Sequence, residues 1–317
     1  MRVNDKITHL QIEPTSICDL KCCYCVGQYG PVGVLSTSLF FDVVSKLDAI
    51  KYVQLQGEGE PFVHPNYLEM LNYLRNLNIP VGLITNGRHF TENAIKTILS
   101  GTVKSIGISM DSCNPKIYEK YRGGDLNLVL NGLNKLISQR GNAKKPDLYL
   151  AAVLFKNTFA EFEDLVNFSK VMGLSLPSAQ PLQMKSDYLA HYTKELREEK
   201  LSKSQIKQLD DYLKNRSATR KKTGLKTYYE DLFTDESDNV CPFVRQSLYI
   251  RFNGFAFPCC FIKDLQYSYG QVGDDGSTSD IWFGEIREEI INIFESGGIP
   301  EMCKDCEISN NFAKKID

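Results

Sequence analysis

The stretch Ile17-Cys18-Asp19-Leu20-Lys21-Cys22-Cys23-Tyr24-Cys25 sets the reading of this chain. Cys18, Cys22 and Cys25 follow one another as C-x3-C-x2-C. Iron–sulfur clusters are ordinarily held by four thiolates. Three thiols at this tight spacing suit a 4Fe-4S cubane with one iron left open, and an open coordination site implies chemistry there. Cys23 would be a strained fourth ligand, because it neighbours Cys22. A zinc knuckle, or a set of free thiols, is the plainer alternative.

Around this loop, residues 8–181 alternate short apolar runs with helical patterns that carry one polar face. The spacing predicts strands over 8–13, 52–56, 81–85, 105–110, 148–154 and 178–181. Helices are predicted over 38–47, 65–77, 91–100, 126–139 and 159–172. Six such βα repeats argue for an α/β fold, a parallel sheet with helices outside. Residues 185–240 read differently, as a charged linker or insertion. Lys194–Asn215 predicts one or two exposed helices. The basic run Arg216, Arg220, Lys221, Lys222 and Lys226 is by default a solvated face, and otherwise a clamp for an acidic or phosphorylated substrate. Residues 241–317 form a cysteine-bearing tail.

The chain has 317 residues, and 42% of them are hydrophobic, enough for a real core. A net charge of −2 gives no global pull toward nucleic acid or an anionic membrane. No apolar run reaches the roughly 18 residues that span a bilayer. The start, Met1-Arg2-Val3-Asn4-Asp5-Lys6, lacks the apolar core of a signal peptide. Ten cysteines without such a signal argue for metal rather than disulfides, in a reducing cytoplasm.

With Tyr24 before its last cysteine, the loop after the first strand resembles that of the radical S-adenosylmethionine (SAM) superfamily. The resemblance implies a partial (β/α)6 TIM-like barrel over residues 1–184, with its site at the C-terminal ends of the strands. It implies a SAM-binding 4Fe-4S cluster on Cys18, Cys22 and Cys25, whose open iron chelates the amino and carboxylate groups of SAM. One electron then cleaves SAM to methionine and a 5′-deoxyadenosyl radical; the cofactor carries the hard chemistry and the protein orients it. Tyr24 would lie near the adenine, or would simply pack the loop.

Gly57-Glu58-Gly59-Glu60-Pro61 resembles the family's G-G-E-P motif, with Glu58 at the second glycine, or a G-E-P core at Gly59-Glu60-Pro61. Its carbonyls would accept from the SAM ammonium. Thr85-Asn86-Gly87 matches T-N-G, although Asn-Gly is also a common turn pair. Ser109-Met110-Asp111 is similar to S-x-D, whose hydroxyl and carboxylate would bond the ribose; out of context, Asp111 reads as a helix cap before Pro115. Arg122 resembles the arginine that pairs the SAM carboxylate. Gln180 is a weaker candidate for an adenine or substrate contact. His64 reads as structural rather than as an acid or base, and Cys113 as packing.

Cys241, Cys259, Cys303 and Cys306 form a second constellation, ending in C-x2-C. It resembles the auxiliary-cluster domains called SPASM and twitch. Five cysteines lie here with Cys260, which fits one auxiliary 4Fe-4S cluster better than a full set. A structural zinc site is the rival. Cys260 is an idle small residue, an alternative ligand, or a hydrogen-atom donor of the kind radical SAM epimerases use.

The function expected is a cytoplasmic radical SAM enzyme that abstracts hydrogen from an unactivated C–H and oxidises the substrate, with the auxiliary cluster accepting the second electron. Epimerisation through Cys260 and cross-linking in ribosomal-peptide maturation are the alternatives; an iron–sulfur carrier or redox sensor is the non-enzyme one. Flavodoxin or ferredoxin would supply electrons. The first strand begins by residue 8, which favours a small molecule over a peptide substrate. No nucleic-acid or membrane partner is expected.

Overall fold

The computed structural model describes residues 6–182, 190–223, 239–273, 278–304 and 306. Lys226 lies outside them, as do the side chains of Arg220, Lys221 and Lys222.

Strands β1 (His9–Ile12), β2 (Tyr52–Leu55), β3 (Val81–Thr85), β4 (Val103–Ser109), β5 (Asp147–Leu154) and β6 (Ser175–Pro181) pair in chain order, all parallel. Crossing helices join them: α1 (Thr37–Ser45), α2 (Tyr67–Asn76), α3 (Glu92–Leu99), the pair α4 (Pro115–Arg122) and α5 (Leu126–Arg140), and α6 (Phe162–Val171). Every residue of β1 and of β2 is buried, as a parallel strand packed on both faces must be. Local chemistry sets the helix ends. Thr91 caps α3 by accepting from the N–H of Ala94. Asn114, not Asp111, caps α4, and Gly123 ends it in the left-handed region at φ 67°. These six repeats are the partial barrel expected.

The sheet ends at β6 but does not stop at β1. Strand β7 (Ser247–Ile250) runs parallel to β1 on its free edge, in register from His9↔Ser247 to Ile12↔Ile250. Strands β8 (Phe255–Phe257) and β9 (Gly270–Gln271) continue antiparallel, giving the order β6-β5-β4-β3-β2-β1-β7-β8-β9. The cysteine-bearing tail is thereby built onto the strand that launches the Cys18 loop.

Helix α7 (Lys203–Thr223) packs on β6, and the short helix Lys194–Glu198 puts Leu196 in a cluster with Tyr121 and Phe155. The expectation of an exposed helical segment is corrected here. Leu196, Leu201 and Leu209 are buried, and Tyr212 meets Phe162 edge-on at 4.8 Å and donates to the Pro177 carbonyl. Arg216 does not belong to a solvated face. It is buried, stacks on the Tyr149 ring and donates to the Leu176 carbonyl at 2.9 Å. Its long apolar stem makes that burial tolerable.

Candidate active site

The cysteine loop leaves β1 at its C-terminal end, where parallel-sheet sites form. Its stem is laced by hydroxyls: Thr15 Oγ1 donates to the Gly33 carbonyl at 2.8 Å, and Ser16 Oγ to that of Pro31 at 3.0 Å. Backbone amides point at the sulfurs. Leu20 N–H donates to Cys18 Sγ at 3.4 Å, and Gly27 and Gln28 N–H donate to Cys25. Cys18, Cys22 and Cys25 lie within electrostatic reach of one another. Burial pushes the Cys18 and Cys22 thiols up to about 11, so both hold protons until a metal displaces them. Amide-to-sulfur bonds around three converging thiols fit an iron–sulfur cluster. Cys23 is exposed, with its N–H tied to the Tyr121 carbonyl at 2.9 Å.

The Gly57–Pro61 turn grips this loop from below. Gly59 N–H donates to Thr15 O and Glu60 N–H to Ile17 O. A Cβ on Gly59 would stand 2.4 Å from Ile17 O, and one on Gly57 would meet the Glu13 side chain at 2.2 Å. These glycines are thus required by close approach. Glu60 is buried and accepts from Thr85 Oγ1 (2.7 Å), Asn86 N–H (2.7 Å) and Phe62 N–H (3.2 Å). Burial still holds its carboxyl above the usual range. Asn86 in turn donates to Asp19 Oδ1 at 2.7 Å, inside the cysteine loop. Arg88 and His89 close on the other Asp19 oxygen at 2.8 and 3.0 Å. Burial would raise the Asp19 carboxyl, but His89, Asn86 and Arg88 together bring it below its ordinary value. Three motifs far apart in sequence are therefore one hydrogen-bonded unit.

Asp111, Arg122 and Tyr24 also converge, with their partners among themselves. Arg122 Nε and Nη2 reach the two Asp111 oxygens at 2.8 and 2.7 Å. Tyr24 Oη donates to Asp111 Oδ2 at 2.7 Å and Val153 N–H to Oδ1 at 2.8 Å. Asp111 is wholly buried, and all four donors fix the wall behind the cysteine loop. The Tyr24 ring packs on Phe155 at 5.1 Å, and Tyr192 Oη holds the Tyr24 carbonyl. Ser109 is half-buried at the end of β4, and Gln180 is exposed on β6. His64 is structural: Nδ1 accepts from Asn66 N–H, which leaves the proton on Nε2 for the Leu35 carbonyl at 2.9 Å. Cys113 packs, half-buried, against the core.

Sequence reasoning missed a buried polar cluster on the β1–β7 side. Glu13 accepts from Glu58 N–H at 2.8 Å and Phe252 N–H at 3.3 Å, and faces Arg251 Nε at 3.7 Å. Lys263 pairs with Glu58. Burial pushes the Lys263 ammonium down to about 8. Ser16, Gly27, Glu58, His191, Arg251 and Lys263 line a cavity of about 170 Å³ beside the cysteine loop. The one local signal was a carboxylate ending an apolar strand just before Pro14.

The four C-terminal cysteines gather as expected. Cys241 is buried at the start of helix Pro242–Gln246 and accepts from Phe243 N–H; Cys259, Cys303 and Cys306 raise its thiol further, after burial itself. Cys303 is buried, and Cys259 and Cys260 are half-buried after β8. Four thiols within electrostatic reach of one another, two buried and two half-buried, suit a closed cluster. Among the described residues, no three His, Cys, Asp or Glu side chains converge on the scale of a single metal ion.

Comparison with known proteins gives the family of both cysteine-bearing regions. Residues 12–169 match the model of the radical SAM superfamily, and residues 241–307 that of the SPASM iron–sulfur cluster-binding domain. The chain is similar to the tungsten-containing aldehyde ferredoxin oxidoreductase cofactor-modifying protein of Pyrococcus furiosus: 23% identical, over 98% of this chain and 90% of that one. It is 24% identical to the mycofactocin maturase MftC of Mycobacterium tuberculosis, over 87% of this chain and 71% of the relative. Crystal structures of Streptococcus suis SuiB share the fold at 15% identity. The one bound to S-adenosylmethionine superposes with a TM-score of 0.71, covering 91% of this chain and 68% of SuiB. Another holds the precursor peptide SuiA, with a TM-score of 0.68 over 90% of this chain and 67% of SuiB.

Proposed function

The chain belongs to the radical SAM superfamily and carries an SPASM domain, and on that premise we propose that it oxidises an unactivated C–H within a bound peptide. Membership brings a 4Fe-4S cluster, SAM and auxiliary iron–sulfur chemistry with it. When bound, these supply a 5′-deoxyadenosyl radical that takes a hydrogen atom and a one-electron acceptor that completes the oxidation. Cys18, Cys22 and Cys25 would hold the first cluster, and Cys241, Cys259, Cys303 and Cys306 the auxiliary one. The Gly57–Pro61 turn, Asn86 and Ser109 would shape the SAM pocket. Asp111 and Arg122 serve it by stiffening its wall, and Tyr24 by anchoring the loop.

The observation that supports this reading is the cavity between the segment that follows Cys25 and Arg251 at the end of β7. Its lining begins at Val26, next to Cys25, and includes Arg251, Lys263 and Glu58, groups suited to a polar backbone with charged side chains. The peptide class is favoured over the small molecule expected from sequence by the maturase MftC and by the precursor peptide bound to SuiB. Flavodoxin or ferredoxin remains the electron donor proposed. No described helix is long and apolar enough to cross a membrane.

The test is anaerobic turnover of the reconstituted enzyme with SAM, dithionite and short peptides encoded beside its gene. Oxidation predicts one 5′-deoxyadenosine per product, loss of two hydrogens, and no deuterium at the abstracted carbon in heavy water. Deuterium at that carbon, together with loss of product in Cys260→Ala, would replace oxidation by epimerisation.

A further inference from the structure

Tyr269 is a buried phenol whose oxygen touches no hydrogen-bond partner among the described residues. Its backbone is tied to β8, its N–H donating to the Ala256 carbonyl at 2.8 Å, three residues before Cys259. Its ring meets Trp282 edge-on at 6.5 Å. The Arg287 guanidinium lies 3.7 Å from the centroid of that indole and donates to the carbonyls of Val244 (3.1 Å) and Arg245 (3.0 Å), in the helix that Cys241 begins. The phenol thus lies within electrostatic reach of Cys259, Cys241 and Cys303. A buried hydroxyl left unpaired is rare in native proteins and calls for a partner that the described residues do not provide.

We infer that Tyr269 donates its hydroxyl hydrogen to a sulfur of the auxiliary cluster and thereby raises that cluster's reduction potential. Reduction adds negative charge to a cluster, and a hydrogen bond to sulfur stabilises the reduced form more than the oxidised one. An auxiliary cluster that accepts an electron from a substrate radical is helped by that bias. The inference rests on the four C-terminal cysteines holding a cluster, which the iron content of the native protein checks separately.

The experiment is a redox titration, followed by electron paramagnetic resonance, of the full chain carrying both clusters. Adding SAM perturbs the signal of the SAM-binding cluster and so identifies the other wave. Tyr269→Phe keeps the ring and removes one oxygen. It is expected to retain full iron, to lower the midpoint of the SAM-insensitive wave, and to leave the SAM-sensitive one unchanged. An unchanged SAM-insensitive midpoint overturns the inference. Loss of iron in Tyr269→Phe overturns it too, because the ring would then be structural rather than tuning. A second measurement needs no variant: electron–nuclear double resonance on the reduced native protein should show a proton coupled to the auxiliary cluster that exchanges in heavy water. Absence of that proton also overturns the inference.

Discussion

Arg122 and Asp111 hold each other through two charge-assisted hydrogen bonds at a site where both side chains are buried. Removing one partner leaves a buried charge uncompensated, which typically costs about 3–5 kcal/mol. Arg122→Met should therefore lower the unfolding free energy of the cluster-free protein by about that much in a urea titration. Asp111→Asn combined with Arg122→Met should recover part of the loss; a double variant as unstable as the sum of both singles would contradict the pairing. Gly59 makes a sharper case. An added Cβ meets the carbonyls of Ile17 and Thr15, both backbone, so the cysteine loop itself must shift. Gly59→Ala should lose about four of about eight irons after reconstitution, measured against protein concentration. Full iron in that variant would mean that the loop yields without cost. The cysteines were legible in sequence because their chemistry lies in their local spacing. The Asp111–Arg122 pair was not: each residue matched a ligand-binding motif, and only the fold shows that they face each other.

At the scale of the elements, Glu60 joins the turn after β2 to the end of β3. Its three donors come from Thr85, Asn86 and Phe62. Glu60→Gln turns an amide N–H₂ toward one of those donors, leaving an N–H facing an N–H. The expected cost is about 1.5–3 kcal/mol of stability, the range for hydrogen bonds to a charged group. Because Asn86 reaches Asp19 from the same junction, weaker SAM binding should accompany it, read by equilibrium dialysis. Unchanged stability would show that Glu60 is protonated and its carboxylate bonds are weak. The strands and the longer helices of the repeat region were legible through their periodicity, with ends off by a few residues, whereas the eight-residue α4 was not predicted. α7 was misjudged because its composition is charged; its buried stripe is thin, and Arg216 hides a cation against Tyr149.

The whole molecule is organised by β1. It carries the cysteine loop at one end, pairs with β2 on one edge, and receives β7 on the other. Nothing local in the sequence announces that last pairing, since 238 residues separate its partners His9 and Ser247. The same distance hid Glu13, Arg251 and Lys263, which only the β1–β7 contact brings together. The two cysteine sets nevertheless leave different strands, the first after β1 and Cys259 after β8, so each cluster should assemble independently of the other. Cys303→Ala with Cys306→Ala should keep about four irons and still cleave SAM, while forming little oxidised product. Loss of all iron in that variant would show that the two sites assemble as one.

SAM cleavage itself is the most direct measurement. The reconstituted protein, incubated anaerobically with SAM and dithionite, should release 5′-deoxyadenosine and methionine in equal amounts. Cys18→Ala combined with Cys22→Ala and Cys25→Ala should release none while keeping the iron of the C-terminal cluster. Cleavage that persists in the triple variant, or no cleavage by the native chain with its iron in place, would contradict a radical SAM site on the Cys18–Cys25 loop.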